Sequence, residues 1–415
     1  MTVRLRRRSM VAIAVFAAVA ALIVAGRFYE TQRAVRVSLS NILVVSVTNG
    51  SDRGVGSLRE ALFVVATAPE AARISLEVPK ISLLTPLPPI VNSHGVHIVA
   101  GPGGSEIDAR ALSGGPVLDV AAANVSLDGL AISDCPGAAI LVRAVHFSLQ
   151  GATLENCDVG VDVAGNAQDL LVEGNHFIDD RIGVRFAASS PDTTVAANQF
   201  SGEKEAGVWA VRGETDLHAG AISVRDNRFD HDHAGVVAGN LATLIEQNEF
   251  TGAQTAAVDL VGAGAVVRGN RVSGGSGMGI IADGAHAAVI ESNELNGLAA
   301  YGIMIRGSSD ALVSANRLYD CAYGMAFVLG DPRNPSTAVD NIIIEPRYDG
   351  IDVVGDAPIL RRNHVIKPHA FALRVEDFRR PDGSRVVSAP FLDHNSFGPS
   401  AAIAGAGRPG RPSLR

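Results

Sequence analysis

Two groups of residues in this sequence have side chains that could do chemistry. The stretch Asp230-His231-Asp232-His233 brings imidazoles and carboxylates together, a combination that binds metal ions and moves protons in general acid–base catalysis. Three further residues each stand two positions after a Gly, namely Asp162, Arg185 and Trp209. An indole ring stacks on the apolar face of a sugar, and charged groups bond its hydroxyls or a uronate carboxylate. The first group therefore predicts a catalytic or metal site, and the second predicts a substrate-binding surface for glycans.

Each group also has a purely structural interpretation. The stretch from Asp230 to His233 falls where the pattern predicts a corner of the backbone, so a solvated turn explains it as well. Asp162, Arg185 and Trp209 fit a solvated strand that carries one surface aromatic residue. Both interpretations stay open at the level of the sequence.

A repeat of 21 to 29 residues must position both groups. Each repeat has an Asn, a large apolar residue two positions later, and in most repeats a Gly eight or nine positions after the Asn that opens an apolar alternation. The repeated residues are Asn175, Asn198, Asn227, Asn248, Asn270, Asn293, Asn316, Asn341 and Asn363. Self-similarity at this period indicates a solenoid, and each repeat divides into three short strands. Because side chains alternate along a strand, the first and third residues after the Gly point inward and the second points outward.

The alternation assigns structural roles to the Asn and Phe positions. Asn tolerates the left-handed backbone of a tight corner, and stacked Asn side chains can hydrogen-bond along the axis at a rung spacing of about 4.8 Å. The Phe residues that follow four of these Asn should stack in the core, and they are Phe177, Phe200, Phe229 and Phe250. Asp162, Arg185 and Trp209 are then outward neighbours on consecutive rungs.

The start of the solenoid has a signature of its own. Ser57-Leu-Arg-Glu60 fits a capping box that opens a short amphipathic helix through about Ala68. The segment VTNGSDRGVGSLREAL resembles the N-terminal cap of bacterial right-handed parallel β-helix proteins, which include pectin-lyase-like proteins and the nitrous-oxide-reductase maturation type. The resemblance implies an all-β, right-handed parallel β-helix solenoid of about a dozen coils over residues 41–397, with a short N-terminal capping helix.

The resemblance also implies motifs that can be looked for. Alginate epimerases of this fold carry Asp-Pro-His-Asp, whereas the Asp331-Pro332 pair is followed here by Arg-Asn. Polygalacturonase-like hydrolases carry paired Asp residues, and Asp179-Asp180 is the counterpart in this sequence. The other motifs of those hydrolases are missing from this sequence. Lyase chemistry needs a cation or an Arg to neutralise a substrate carboxylate and a base to take the C5 proton. Arg185 and Arg225 are both candidates for the neutralising role, and nothing in the sequence selects between them.

The N-terminus predicts export and anchoring. Residues 1–8 carry four Arg, and residues 9–26 form an uncharged apolar run. This pattern predicts a cytoplasmic basic tail, a transmembrane helix over 9–26 and a linker over 27–40, with a cleaved signal ending near Ala18-Val-Ala20 as the alternative. We therefore expect a single-pass protein of the cell inner membrane whose body lies in the periplasm. Residues 398–415 are rich in Gly, Ala, Pro and Arg, and we expect them to be disordered.

The net charge limits the possible binding partners, and the cysteine positions limit the possible disulfides. The formal net charge of −8 provides no basic face for nucleic acid. Cys135 and Cys157 fall at nearly the same position in adjacent turns, so they are either packed thiols or a disulfide. Cys321 lies too many turns away to pair with either. No cofactor is predicted.

Three functional hypotheses follow. The first is a periplasmic, membrane-anchored protein that binds or guides a polysaccharide during exopolysaccharide biosynthesis or export, with a glycan synthase or export complex as a further partner. The second is a polysaccharide lyase, C5-epimerase or hydrolase that uses residues of the 230–233 stretch or Arg225. The third is a periplasmic metal-delivery protein, which the resemblance to the maturation proteins suggests.

Overall fold

Three parallel sheets wind the chain into a coil, and every turn except those at the ends contributes one short strand to each sheet. The structure is a computed structural model that describes residues 42–165, 167–187, 190–211, 222–239, 243–262 and 264–397 and the backbone of 403–405. The chain divides into two units, Met1–Ile42 and Leu43–Arg415. The predicted basic tail 1–8, apolar segment 9–26 and linker 27–40 lie outside the described residues.

The strands of the described residues fall into these sheets. Sheet 1 has 15 strands, Leu43–Val47, Ala72–Leu76, Val96–Ala100, Val125–Asp128, Phe147–Gln150, Leu170–Glu173, Thr193–Ala196, Ile222–Arg225, Thr243–Glu246, Ala265–Arg268, Val289–Glu291, Leu312–Ser314, Thr337–Val339, Ile359–Arg361 and Phe391–Asp393. Sheet 2 has 14 strands, Lys80–Ser82, Ser105–Asp108, Leu130–Ser133, Thr153–Glu155, His176–Ile178, Gln199–Ser201, Arg228–Asp230, Glu249–Thr251, Arg271–Ser273, Glu294–Asn296, Arg317–Tyr319, Ile342–Ile344, His364–Ile366 and Ser396–Phe397. Sheet 3 has 13 strands, Leu118–Val120, Ala138–Val142, Val159–Val163, Ile182–Phe186, Ala206–Val211, Ala234–Gly239, Ala256–Val261, Met278–Asp283, Tyr301–Arg306, Tyr323–Val328, Ile351–Val354, Leu373–Glu376 and Ile403–Gly405.

This arrangement is the right-handed parallel β-helix that the repeat and the resemblance predicted. A two-stranded antiparallel hairpin, Phe378–Arg379 with Arg385–Val386, interrupts the coil near its end. Of the predicted disordered tail, the described part is Ile403–Gly405, which pairs with Leu373–Glu376 as the last strand of sheet 3.

The Asn ladder is buried and bonded along the axis, as predicted. Its nine members from Asn175 to Asn363 are 0 to 2% exposed. Asn248 shows the pattern: its Oδ1 accepts from the Asn227 backbone N–H at 3.0 Å, and its Nδ2 donates to Val224 O at 2.9 Å. Each side chain therefore satisfies backbone groups that the corner would otherwise leave buried without a partner.

The left-handed backbone lies one residue earlier than the sequence suggested. The residue immediately before each ladder Asn takes the positive φ, for example Asp226 at 57° and Gln247 at 56°. The Asn itself is freed to direct its amide along the axis. The prediction that Asn occupies the left-handed position is therefore wrong, although the corner that it marks is present.

The Phe stack explains why Gly stands near the start of four strands of sheet 3, at Gly160, Gly183, Gly207 and Gly235. Phe177, Phe200, Phe229 and Phe250 stack with ring centroids 4.7 Å apart. A Cβ built on Gly183 would lie 2.7 Å from Phe200 Cδ1 and 2.7 Å from a backbone oxygen of the next rung. Only Gly leaves room for the ring.

The predicted helix forms at the start of the coil as α1, Leu58–Ala66. Ser57 caps it, since its side chain accepts from the Glu60 N–H at 3.3 Å. The helix ends two residues before the predicted Ala68 and contacts the first strand of sheet 1.

The membrane location is not supported. In the part of the chain that the structure describes, no helix is long and apolar enough to cross a bilayer. The nine-residue helix α1 rises only about 13.5 Å, whereas the hydrocarbon core is about 30 Å thick. The prediction of a single-pass inner-membrane protein is therefore wrong.

Adjacent turns are joined by a covalent bond near the N-terminal end. Cys135 and Cys157 form a disulfide with their Cα atoms 4.2 Å apart, so the two cysteines are not packed thiols. Cys321 is buried as a free thiol.

Candidate functional site

Asp162, Arg185 and Trp209 lie side by side on the outer face of sheet 3. Backbone pairing aligns Asp162 with Arg185 and Arg185 with Trp209. The residues on either side of each in its strand are buried, whereas these three are partly exposed. The three residues stand at the same distance in sequence from the repeated Gly, and they are neighbours on one surface of the fold, as predicted.

Arg185 is already paired with a carboxylate. Its Nε and Nη2 donate to the two oxygens of Asp162 at 2.9 and 2.7 Å. This bidentate pair raises the pKa of the guanidinium, so Arg185 keeps its charge. A uronate ligand would have to displace Asp162 to reach Arg185, whereas sugar hydroxyls can bond the rim of the pair.

Trp209 is held by apolar neighbours on the same face. It packs against the cluster of Ala206, Ala234 and Val237. The ring therefore has a fixed base and a partly exposed surface, which is the arrangement that stacking on a sugar requires. Residues 212–221, which follow this strand, lie outside the described residues.

The 230–233 stretch does not converge on one point. His231 is exposed in a left-handed corner with φ 59°, and its Nδ1 lies 3.0 Å from Asp230 Oδ1. His233 is also exposed, whereas Asp232 is 1% exposed and turns into the core. Among the described residues, no group of three or more His, Cys, Asp or Glu side chains is placed to hold a metal ion.

Arg225 lies on the outer face of sheet 1, away from these residues. Its Nη1 pairs with Asp226 Oδ2 at 2.8 Å. Backbone pairing places it between Ala196 and Glu246. The structure therefore does not bring Arg225 together with the other catalytic candidates.

A column of carboxyl groups is buried at the corner between sheets 2 and 3. Asp180, Glu203 and Asp232 are 0, 1 and 1% exposed and occupy consecutive rungs. Asp180 Oδ1 accepts from the Cys157 N–H at 2.7 Å, and Asp232 Oδ1 accepts from the Glu203 N–H at 2.9 Å. The second oxygen of each Asp and both oxygens of Glu203 have no partner among the described atoms.

Burial favours the protonated form of each carboxyl group in this column. Desolvation raises the pKa of Asp232 to about 7 and, together with the charges of Asp180 and Asp232, that of Glu203 to about 10. The pKa of Asp180 is also raised well above its ordinary value, mainly by burial. Neutral carboxyl groups avoid the cost of three stacked negative charges in the core.

A second group, which we call the tyrosine cluster, comprises Tyr301, Tyr323, Tyr348, Asp349 and Asp352. Tyr301, Tyr323 and Asp352 belong to strands of sheet 3, and Tyr348 and Asp349 lie in the turn before Ile351–Val354. The rings of Tyr301 and Tyr323 stack at 4.6 Å, and those of Tyr323 and Tyr348 at 5.0 Å. Tyr301 Oη donates to Asp352 Oδ2 at 2.8 Å. Burial and the neighbouring carboxyl of Asp349 raise the pKa of Asp352 to about 6.

The comparison with protein families agrees with the observed coil. The family described as "Right handed beta helix region" matches residues 90–220 and 217–365, which is more than half of the chain. The chain belongs to this right-handed β-helix family. No curated protein matches this β-helix.

Solved structures share the fold of this β-helix at low identity. The catalytic unit of a thermostable GH87 alpha-1,3-glucanase from Streptomyces thermodiastaticus superposes with a TM-score of 0.56 and 15% identity, over 86% of this chain and 69% of that one. The tailspike protein of E. coli bacteriophage HK620, in complex with a pentasaccharide, gives 0.51 and 14%, over 84% and 78%. PfbA, a surface adhesin of Streptococcus pneumoniae, gives 0.56 and 10%, over 82% and 93%. Identities of this order show a common fold alone.

Two groups in this β-helix were missed by the sequence reasoning, although the repeat carried their signal. Asp180, Glu203 and Asp232 each stand five positions after a ladder Asn. Tyr301 and Tyr323 each directly precede the repeated Gly. Alignment of every column of the repeat would have revealed the three carboxyl groups and the pair of Tyr301 and Tyr323. It would not have revealed Tyr348, which stands two positions before Gly350.

Proposed function

We propose that this β-helix binds a polysaccharide along the outer face of sheet 3, with Trp209 as its principal contact. The observation that carries the proposal is the alignment of the Asp162–Arg185 pair with Trp209 on consecutive rungs. A partly exposed indole beside a fixed set of hydrogen-bonding groups provides both stacking and orientation for a sugar ring.

The structural neighbours support this proposal in general terms. They include an alpha-1,3-glucanase and a phage tailspike complexed with a pentasaccharide. The narrower role in exopolysaccharide biosynthesis, with a synthase or export complex as partner, depended on the membrane location and is not retained. The enzyme hypothesis based on Asp230 to His233 gains no support from the geometry, because Asp232 lies in the core and both His side chains are outside.

The test is calorimetric titration of the full chain with maltohexaose, cellohexaose and hexagalacturonate. We expect at least one hexaose to bind and Trp209→Ala to weaken that binding at least tenfold, which corresponds to about 1.4 kcal/mol. Phe63→Ala is the matched control, since Phe63 is an exposed aromatic residue on helix α1. Absence of binding to all three probes, or equal affinity of the Trp209→Ala chain, would overturn the proposal.

A further inference from the structure

The tyrosine cluster and Trp209 stand on the same outer face, several rungs apart. The outward column that contains Trp209 continues through Val237, Asp259, Ile281 and Met304, and Tyr301 begins the strand that holds Met304. These four steps correspond to about 19 Å at the rung spacing of about 4.8 Å. Tyr348 precedes the strand two rungs further on, so it stands about 29 Å from Trp209 along the axis. An oligosaccharide of several sugar units spans such a distance.

The floor between the two aromatic groups is mostly apolar. Val237, Ile281, Met304 and Ala326 point outward and yet are 6, 8, 9 and 1% exposed. Ala326 lies between Met304 and Asp352 in the register, beneath the link from Tyr301 to Asp352. The face is therefore closely packed and fixed in shape.

The tyrosine stack ends in an exposed ring. Tyr348 is 54% exposed, while the phenol of Tyr301 at the other end is bonded to Asp352. Stacking on Tyr323 holds the Tyr348 ring in place, so little side-chain freedom is lost when a ligand covers it. Its free surface offers a second stacking position for a sugar.

The described arginines of this face are all neutralised by carboxylates. Arg185 pairs with Asp162, as above. Arg306 Nε donates to Asp283 Oδ1 at 2.9 Å. Arg374 Nη2 donates to Glu376 Oε1 at 2.6 Å.

The acidic residues between Trp209 and Arg374 in the outward column also disfavour a negatively charged ligand. Asp259 and Asp352 are the charged residues in the column between Trp209 and Arg374. No free cation among the described residues of the face is available to a uronate, and these carboxyl groups would repel one.

We propose that Trp209 and the tyrosine cluster are two contacts of one track for an uncharged polysaccharide, a polymer of neutral hexoses. The inference rests on the proposed function, because it assumes that the outer face of sheet 3 binds glycan. It adds the class of ligand and the second position where the chain touches it.

The experiment uses the same full chain with maltohexaose, cellohexaose and hexagalacturonate. We expect a neutral hexaose to bind at least tenfold more tightly than hexagalacturonate, and Tyr348→Ala to weaken it about fivefold. Tyr348→Phe keeps the ring and should bind like the wild type. Tyr319→Ala removes a half-buried tyrosine that ends a strand of sheet 2 and should have no effect.

The outcomes separate the two proposals. Binding that depends on Trp209 but not on Tyr348, or that favours hexagalacturonate, would overturn this inference and leave polysaccharide binding intact. Binding of none of the probes, or binding that neither Trp209→Ala nor Tyr348→Ala changes, would overturn both.

Discussion

A single ladder asparagine holds several buried groups at once. Asn248 accepts from the backbone and side chain of Asn227 and donates to Val224 O and to Asn270 Oδ1, at 2.9 to 3.0 Å. Bulk water does not reach these groups, because Asn248 is only 2% exposed. The side-chain amide therefore supplies the hydrogen bonds that a neighbouring strand would otherwise provide to the backbone at the corner.

Replacing Asn248 by Ala should destabilise the protein strongly. The substitution removes the acceptor of the Asn227 backbone N–H and the Asn248 side-chain donor to Val224 O, and it leaves the Asn227 side-chain amide with Val195 O alone. We expect the free energy of unfolding to fall by about 2–4 kcal/mol. Urea unfolding followed by circular dichroism measures it. Asn296→Ala is the control, because Asn296 is exposed in a strand of sheet 2 and should change stability by less than about 0.5 kcal/mol. Equal stability of the two variants would contradict the role of the ladder.

At the residue scale, the sequence predicted positions better than orientations. The shared offset from Gly placed Asp162, Arg185 and Trp209 together, since a strand alternates regularly. Asp232 was grouped with His231 because they are adjacent in the chain. At this corner the side chain of His231 points to solvent and that of Asp232 points into the core, and no local sequence pattern predicts this difference.

At the scale of an element, the corner that carries Asp180, Glu203 and Asp232 should respond to pH. The folded state keeps a proton on Asp232 up to about pH 7, whereas the unfolded chain releases it near pH 4. The folded state therefore binds more protons in this window. The free energy of unfolding must fall as pH rises from about 4 to 7, by at most about 1.4 kcal/mol per pH unit for this proton.

Asp232→Asn isolates this effect. The variant cannot lose the proton, so its stability should decline less than that of the wild type between pH 4.5 and pH 7.5. Urea midpoints at the two pH values measure the difference, and the exposed neighbours His231 and His233 cancel because both proteins contain them. A wild type that loses no more stability than the variant over this range would show that Asp232 titrates normally.

The disulfide should add stability to the first turns of the coil. Cys135 and Cys157 are 22 residues apart, and closing a loop of that size is worth about 3 kcal/mol in the unfolded chain. The double variant Cys135→Ala/Cys157→Ala should therefore unfold at a lower urea concentration, and its free energy of unfolding should be about 2–4 kcal/mol lower than that of the wild type. A reductant should destabilise the wild type similarly and leave the variant unchanged. If the reductant affects both proteins equally, the bond does not carry the stability.

At the scale of the whole molecule, the coil was predictable and the ligand was not. The repeated Asn alone predicts the coil, because every turn has a corner whose buried backbone groups need the same hydrogen-bond partner. A ligand contact needs no period, so Tyr348 and Asp352 stood in the sequence without a signal of their joint surface. The membrane location was inferred from residues 9–26, which lie outside the described residues, and it was wrong for the part that the structure describes.

The fluorescence of Trp209 tests the central claim most directly. Trp209 is the single Trp of the sequence, so tryptophan emission reports the proposed contact alone. Titration with the neutral hexaose should shift the emission and saturate at the same concentration as the calorimetric heat, because a stacked sugar excludes water from the ring. A hexaose that binds by calorimetry and leaves the emission of Trp209 unchanged would contradict polysaccharide binding on the outer face of sheet 3.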